Sequence, residues 1–181
     1  MFEGLMPALV TPFDEDGEPD LRTAEVVVKR HIEAGVDGIS ALGSTAEFSH
    51  LTGSERRRFA EAVVEMVGGR VPLIVGVGTT GTREAVDLAR HAESIGANGI
   101  LSVSPYYWKV GEEALFEHFV TVAESVEIPT LVYNFPMLTG IDLSPALVRR
   151  LAAECPNVAG IKDTVKEFSN YYAEAKVPCA A

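Results

Sequence analysis

Basic side chains, cysteine and long apolar runs are all scarce in this chain, and each scarcity excludes something. Only 15 Lys and Arg stand against 26 Asp and Glu, which leaves a formal net charge of −11. Nucleic acid and anionic membrane surfaces attract basic proteins, so neither is expected as a partner. A small anionic substrate stays open, because the local field of a cleft can oppose the global charge. Cys155 and Cys179 are the only cysteines; they make no disulfide framework and fit a reducing cytoplasm. No apolar run approaches the roughly 20 residues that a membrane helix needs. The start, Met1-Phe2-Glu3-Gly4, lacks the charged and apolar regions of a signal peptide. With 47% hydrophobic and 23% charged residues over 181 positions, the composition is that of a soluble globular protein with one buried core.

Short aliphatic and β-branched runs alternate with longer segments of helical period. The runs are Leu5–Val10, Gly38–Leu42, Leu73–Val77, Gly99–Val103, Thr130–Tyr133 and Val158–Ile161. Helices are expected over about 21–34, 54–67, 83–95, 112–125 and 145–154, from the apolar period of these segments. Ser144-Pro145 offers an N-cap before a proline at the first helical position. Thr52 and Glu55 stand at capping-box spacing, Thr82 can cap the third helix, and Gly35, Gly68 and Gly96 fall where helices must stop. This alternation predicts an α/β fold with a parallel sheet covered by helices. The joint Ala34-Gly35-Val36-Asp37-Gly38-Ile39 recurs as Ile95-Gly96-Ala97-Asn98-Gly99-Ile100, which suggests a repeated unit and so a (β/α)₈ TIM barrel. Six strand runs are legible where such a barrel has eight. Residues 1–165 therefore read as one barrel portion, and 166–181 as an atypical tail without clear period.

Distinctive polar groups cluster at the ends of the predicted strands, where parallel α/β folds place their chemistry. Lys162 interrupts the apolar run Val158–Ile161. A buried ammonium is costly, and burial favours the neutral amine that attacks a carbonyl to form an imine. Bringing a lysine from about 10.4 to about 7 takes roughly 4–5 kcal/mol of environment. The same strand also accommodates a lysine whose head reaches solvent beside Asp163. Tyr133 offers a phenol able to shuttle protons, or a core tyrosine with a satisfied hydroxyl. Ser44 and Thr45 follow the second strand and offer hydroxyls and backbone N–H groups to a carboxylate; ordinary loop chemistry accounts for them equally well.

Other motifs carry less. Gly76-Val77-Gly78-Thr79-Thr80-Gly81 matches a dinucleotide fingerprint, but the next strand ends in Ser102-Val103-Ser104-Pro105 without the acid such a site uses. Asp14-Glu15-Asp16-Gly17-Glu18 lacks calcium-loop spacing. His31, His50, His91 and His118 show no metal-ligand spacing, so no metal is expected.

In order and spacing, several stretches over residues 1 to about 165 resemble the dihydrodipicolinate synthase/N-acetylneuraminate lyase superfamily. They are Thr11-Pro12-Phe13, Gly43–Phe48, Pro105-Tyr106-Tyr107, Tyr133-Asn134-Phe135-Pro136 with Thr139-Gly140, and Gly160–Thr164. Pro105–Val110 and Tyr133–Pro136 resemble the 2-keto-3-deoxygluconate aldolase branch in particular. The resemblance implies a (β/α)₈ barrel, tetrameric in the family and free of cofactor, whose lysine forms an imine with a pyruvate-type keto acid. It implies Lys162 as the Schiff-base lysine and Tyr133 as proton shuttle. Ser44 and Thr45 then bind the pyruvoyl carboxylate and relay protons, and Tyr107 reaches across a dimer interface. The expected reaction is cleavage of a 2-keto-3-deoxy sugar acid to pyruvate and an aldehyde. The alternatives are 4-hydroxy-tetrahydrodipicolinate synthase and a truncated, non-catalytic remnant of the family. Synthases carry an arginine where this chain has Leu138. The family's Thr-Gly-Glu pattern reads Thr45-Ala46-Glu47 here, and the added methyl would crowd the loop if that backbone needs positive φ. Relatives also carry two further strand–helix units and a helical C-terminal region.

Overall fold

The computed structural model describes residues 2–165, and the expected tail at 166–181 lies outside them. The described residues fall into two compact units, 2–76 with His91–Gly99, and Val77–Arg90 with 100–165. In both units the strands are parallel and their order follows the chain.

The first unit holds α1 (Leu21–Glu33), β1 (Ile39–Ala41), 3₁₀ turns at Ser44–Ala46 and Phe48–His50, α2 (Gly53–Val67) and β2 (Leu73–Gly76). Asp20 caps α1, accepting from the N–H groups of Arg22 at 3.0 Å and Thr23 at 3.1 Å. The capping box forms as expected: Glu55 N–H donates to Thr52 Oγ1 at 3.3 Å, and Thr52 N–H to Glu55 Oε2 at 2.6 Å. Gly68 ends α2 in the left-handed conformation at φ +57°. Buried Phe59, Val63 and Val67 repeat every four residues along α2 and give it one core-facing stripe. Burying Phe59 alone is worth about 2–3 kcal/mol of transfer free energy. Every residue of β1 and β2 is buried, and Ile39 pairs with Leu73 and Ala41 with Val75.

The expected strand at Leu5–Val10 is present only as a bridge between Ala8 and Ser40. The segment does run beside β1: Asp37 N–H donates to Leu5 O, Ser40 N–H to Pro7 O, and Leu9 N–H to Ser40 O. Pro7 has no N–H, so one rung is missing and no longer ladder builds. With the five named strands, this run makes up the six strand positions of the repeat.

The second unit contains β3 (Gly99–Val103) from Ile100 on, α4 (Glu112–Ala123), β4 (Thr130–Asn134), the short α5 (Pro136–Thr139), α6 (Pro145–Glu154) and β5 (Val158–Asp163). Most of α3 (Thr82–Ser94) belongs with it. Val103 pairs with Tyr133 and Tyr133 with Lys162, after a register shift between Thr130 and Leu131. α4 and α6 close over the outer face of β4 and β5 through Leu115, Phe119, Val132, Leu147, Leu151 and Val158. Ser144 caps α6, its Oγ accepting from Leu147 N–H at 3.1 Å, with Pro145 first in the helix. Thr82, expected as a cap, is instead the first residue of α3, and its hydroxyl lies 2.9 Å from His118 Nδ1.

Candidate active site

Residues paired directly across parallel strands point to the same side. Tyr133 on β4 and Lys162 on β5 are such a pair. Lys162 Nζ lies 4.3 Å from the centre of the Tyr133 ring, within cation–π range when charged. Tyr133 is only 3% exposed, and its hydroxyl accepts a long 3.4 Å hydrogen bond from Thr164 Oγ1. The Phe135 ring lies 5.7 Å from that of Tyr133, centre to centre. One step along each strand the side chains point the other way. Asp163 Oδ1 accepts from Asn134 Nδ2 at 3.0 Å, so Asp163 turns from Lys162, and no ion pair joins the two among the described residues. The pairing of Lys162 with Asp163 is therefore absent, while Lys162 itself is half-buried.

Ser44 and Thr45 begin the 3₁₀ turn after β1, in the first unit. The turn is held by Thr11, whose buried hydroxyl donates to Ala46 O at 2.8 Å. Ala46 is not the left-handed residue of this loop; Glu47 is, at φ +55°. The methyl of Ala46 is accordingly buried without the expected backbone conflict. β1 turns sharply at Leu42, also at φ +55°.

Tyr107 adopts φ +81° in the loop after β3 and is 83% exposed, its ring set edge-on to that of Trp108 at 5.4 Å. Left-handed backbone at a bulky residue is strained and tends to gather at functional loops. Leu138, on α5, is 62% exposed. The structure thus joins Tyr133 to Lys162, and it places Tyr107 on an exposed loop. The contacts of Asn134 were not foreseen: its amide reaches Asp142, Leu143 and Asp163, and no local motif announces these partners.

His118 lies in α4 at 3% exposure, and burial pushes its pKa down to about 4. Its Nδ1 meets Thr82, and its Nε2 has no hydrogen-bond partner among the described residues. It is a core histidine held neutral.

Parallel strands alternating with helices, and a lysine beside a tyrosine near the carboxyl ends of neighbouring strands, define a chain of the (β/α)₈-barrel class. The chain matches the dihydrodipicolinate synthetase family over residues 1–178, and it belongs to that family. It is 46% identical over 170 residues to YagE of Escherichia coli (strain K12), a candidate 2-dehydro-3-deoxy-D-gluconate aldolase, covering 94% of this chain and 56% of that one. It is 44% identical over 169 residues to the 4-hydroxy-tetrahydrodipicolinate synthase of Acidiphilium cryptum (strain JF-5), covering 93% and 58%. The crystal structure of YagE in complex with pyruvate matches at a TM-score of 0.96 and 42% identity, covering 98% of this chain and 59% of that one. The chain therefore spans a little over half the length of these relatives. Among the described residues, no helix is long and apolar enough to cross a membrane.

Proposed function

We propose that this chain carries the imine-forming lysine of a class I, pyruvate-dependent aldolase acting on a 2-keto-3-deoxy sugar acid. The observation that supports it most directly is the register pairing of Lys162 with buried Tyr133. In this reading the neutral amine of Lys162 attacks the keto carbon and water leaves, giving a protonated imine. Tyr133 gives its phenolic proton to the hydroxyl that departs as this water. Its phenolate then takes the proton of the C4 hydroxyl; the C3–C4 bond breaks, the aldehyde departs, and the electron pair of that bond moves into an enamine. Protonation at C3 and hydrolysis release pyruvate and restore the amine.

Ser44 and Thr45 are assigned to the pyruvoyl carboxylate, as the family resemblance implies. Leu138 supports the sugar-acid reading over the synthase: an exposed leucine offers no bidentate clamp to a second carboxylate. The pyruvate bound by YagE in its crystal structure adds a related ligand. Assembly into a homo-oligomer is part of the proposal, supported by Tyr107 and Trp108, which are 83% and 75% exposed on one loop. A reducing, cytoplasmic setting is supported by the buried free thiol of Cys155.

The test is intact-mass spectrometry of the 181-residue chain after incubation with pyruvate and borohydride, with Lys162→Ala alongside. A single reduced adduct that disappears in the variant supports imine chemistry. Folded protein without an adduct overturns it and leaves a non-catalytic member of the family.

A further inference from the structure

Asn134 follows Tyr133 on β4, and Asp163 follows Lys162 on β5, so both point away from the tyrosine–lysine pair. Asn134 is fully buried. Its Nδ2 donates to two carboxylates at once, Asp142 Oδ1 at 2.9 Å and Asp163 Oδ1 at 3.0 Å. Its Oδ1 accepts from Leu143 N–H at 3.1 Å, and its backbone oxygen accepts from Thr164 N–H at 2.9 Å. One residue therefore ties the tip of β4 to the tip of β5 and to the loop before α6. An amide suits the task because it is the uncharged group of this size with two N–H donors and an acceptor. Asp163 Oδ2 is buried and has no hydrogen-bond partner among the described residues, so the orientation of that carboxylate depends on Asn134.

We propose that Asn134 is a positioning residue, whose bridge between Asp142 and Asp163 fixes Lys162 against Tyr133. The inference rests on reading Lys162 as the imine lysine. The lever is short: Lys162 and Asp163 share a peptide bond, as do Tyr133 and Asn134. A loosened tip on either strand displaces the amine from the phenol. Misplacement of about 1 Å at a reacting pair costs up to about a hundredfold in rate.

The test compares the full chain with Asn134→Asp, which keeps the acceptor for Leu143 but cannot donate to either aspartate. The double variant Asn134→Asp/Asp163→Asn is added because it reverses the amide and the carboxylate and restores one bond. The first readout is the rate of borohydride-trapped imine formation at saturating pyruvate. The second needs no pyruvate: labelling of Lys162 by trinitrobenzenesulfonate relative to exposed Lys29, followed by peptide mass spectrometry. Asn134→Asp is expected to slow trapping about tenfold or more, with half-saturation by pyruvate little changed, and to raise the labelling ratio severalfold. The double variant is expected to move both readings back toward the parent. Where Asn134→Asp does not fold, Asn134→Ser, neutral and smaller, is read in the same way. Folded variants with the parent's labelling ratio and trapping rate overturn the proposal, as does a double variant no better than the single. A parent chain that never traps pyruvate overturns the aldolase reading instead, and the labelling ratio then decides the role of Asn134 alone.

Discussion

Asn98 holds Leu73 by both polar groups of its backbone: Asn98 Oδ1 accepts from Leu73 N–H at 2.8 Å, and Asn98 N–H donates to Leu73 O at 2.9 Å. Asp37 repeats the arrangement on Leu5, at 2.7 Å and 2.9 Å. These are the equivalent positions of the two joints that echo each other in sequence. The echo therefore has a physical content: the residue closing each helix–strand joint pins the start of the preceding strand.

Asn98→Ala removes the side-chain acceptor and leaves Leu73 N–H to find another. Stability is expected to fall by about 1 kcal/mol, the usual net value of one hydrogen bond. Asn98→Asp keeps the acceptor and is expected to stay near the parent. Urea denaturation midpoints check this, and equal midpoints for the two variants would remove the side-chain bond from the account.

Gly76 is required by close approach. A Cβ built there would lie 2.0 Å from Leu42 O and 2.6 Å from Leu42 C, both backbone atoms at the left-handed turn after β1. No rotamer relieves such an overlap, so the strand end or the turn must move. Gly76→Ala is expected to cost about 3 kcal/mol or more. A thermal melt within a degree or two of the parent's would contradict the packing described for this turn.

The strand–helix alternation, the caps at Thr52 and Ser144, and the ends of helices at Gly35, Gly68 and Gly96 were legible because each depends on residues within one or two turns. Leu5–Val10 read as a strand by composition, yet Pro7 interrupts the ladder. Lys162 and Tyr133 were legible as polar groups ending apolar strands. Their register was not, because a shift between Thr130 and Leu131 decides which residue faces which. Asn134 was legible only as part of a motif; its partners Asp142 and Asp163 are brought to it by the fold. The conflict expected at Ala46 failed because the loop places its left-handed residue one position later.

His118 links stability to pH. Burial lowers its folded pKa to about 4 from an ordinary value of 6.5. The unfolded chain therefore binds a proton at higher pH than the folded one. Stability from this group is complete above about 6.5 and is lost as pH falls toward about 4, by up to about 3 kcal/mol. Glu113 and Asp20, whose folded pKa values are lowered, also lose stability on acidification, so the parent's slope alone does not isolate the histidine. His118→Gln retains polar atoms toward Thr82 without titrating. The difference in unfolding free energy between parent and variant is expected to shrink as pH drops from 7 to 4.5. A difference that stays constant over that range would show that His118 does not titrate as its burial requires.

In the proposed reaction, Tyr133→Phe separates the role of the phenol from that of the Lys162 amine. The ring and its packing against Phe135 stay, while the hydroxyl that meets Thr164 goes. Lys162 keeps its amine and its aromatic neighbour, so pyruvate is still expected to give a borohydride-trapped adduct. Imine formation without a positioned proton donor is slower, by about a hundredfold at the usual size of general acid–base catalysis. Carbon–carbon cleavage, which in the proposed mechanism uses the same oxygen as base, is expected to fall at least as far. Rapid-quench trapping and a coupled pyruvate assay measure the two steps apart. Trapping at the parent's rate would mean that Tyr133 only supports the lysine by packing, and the proton shuttle would have to be sought among other hydroxyls.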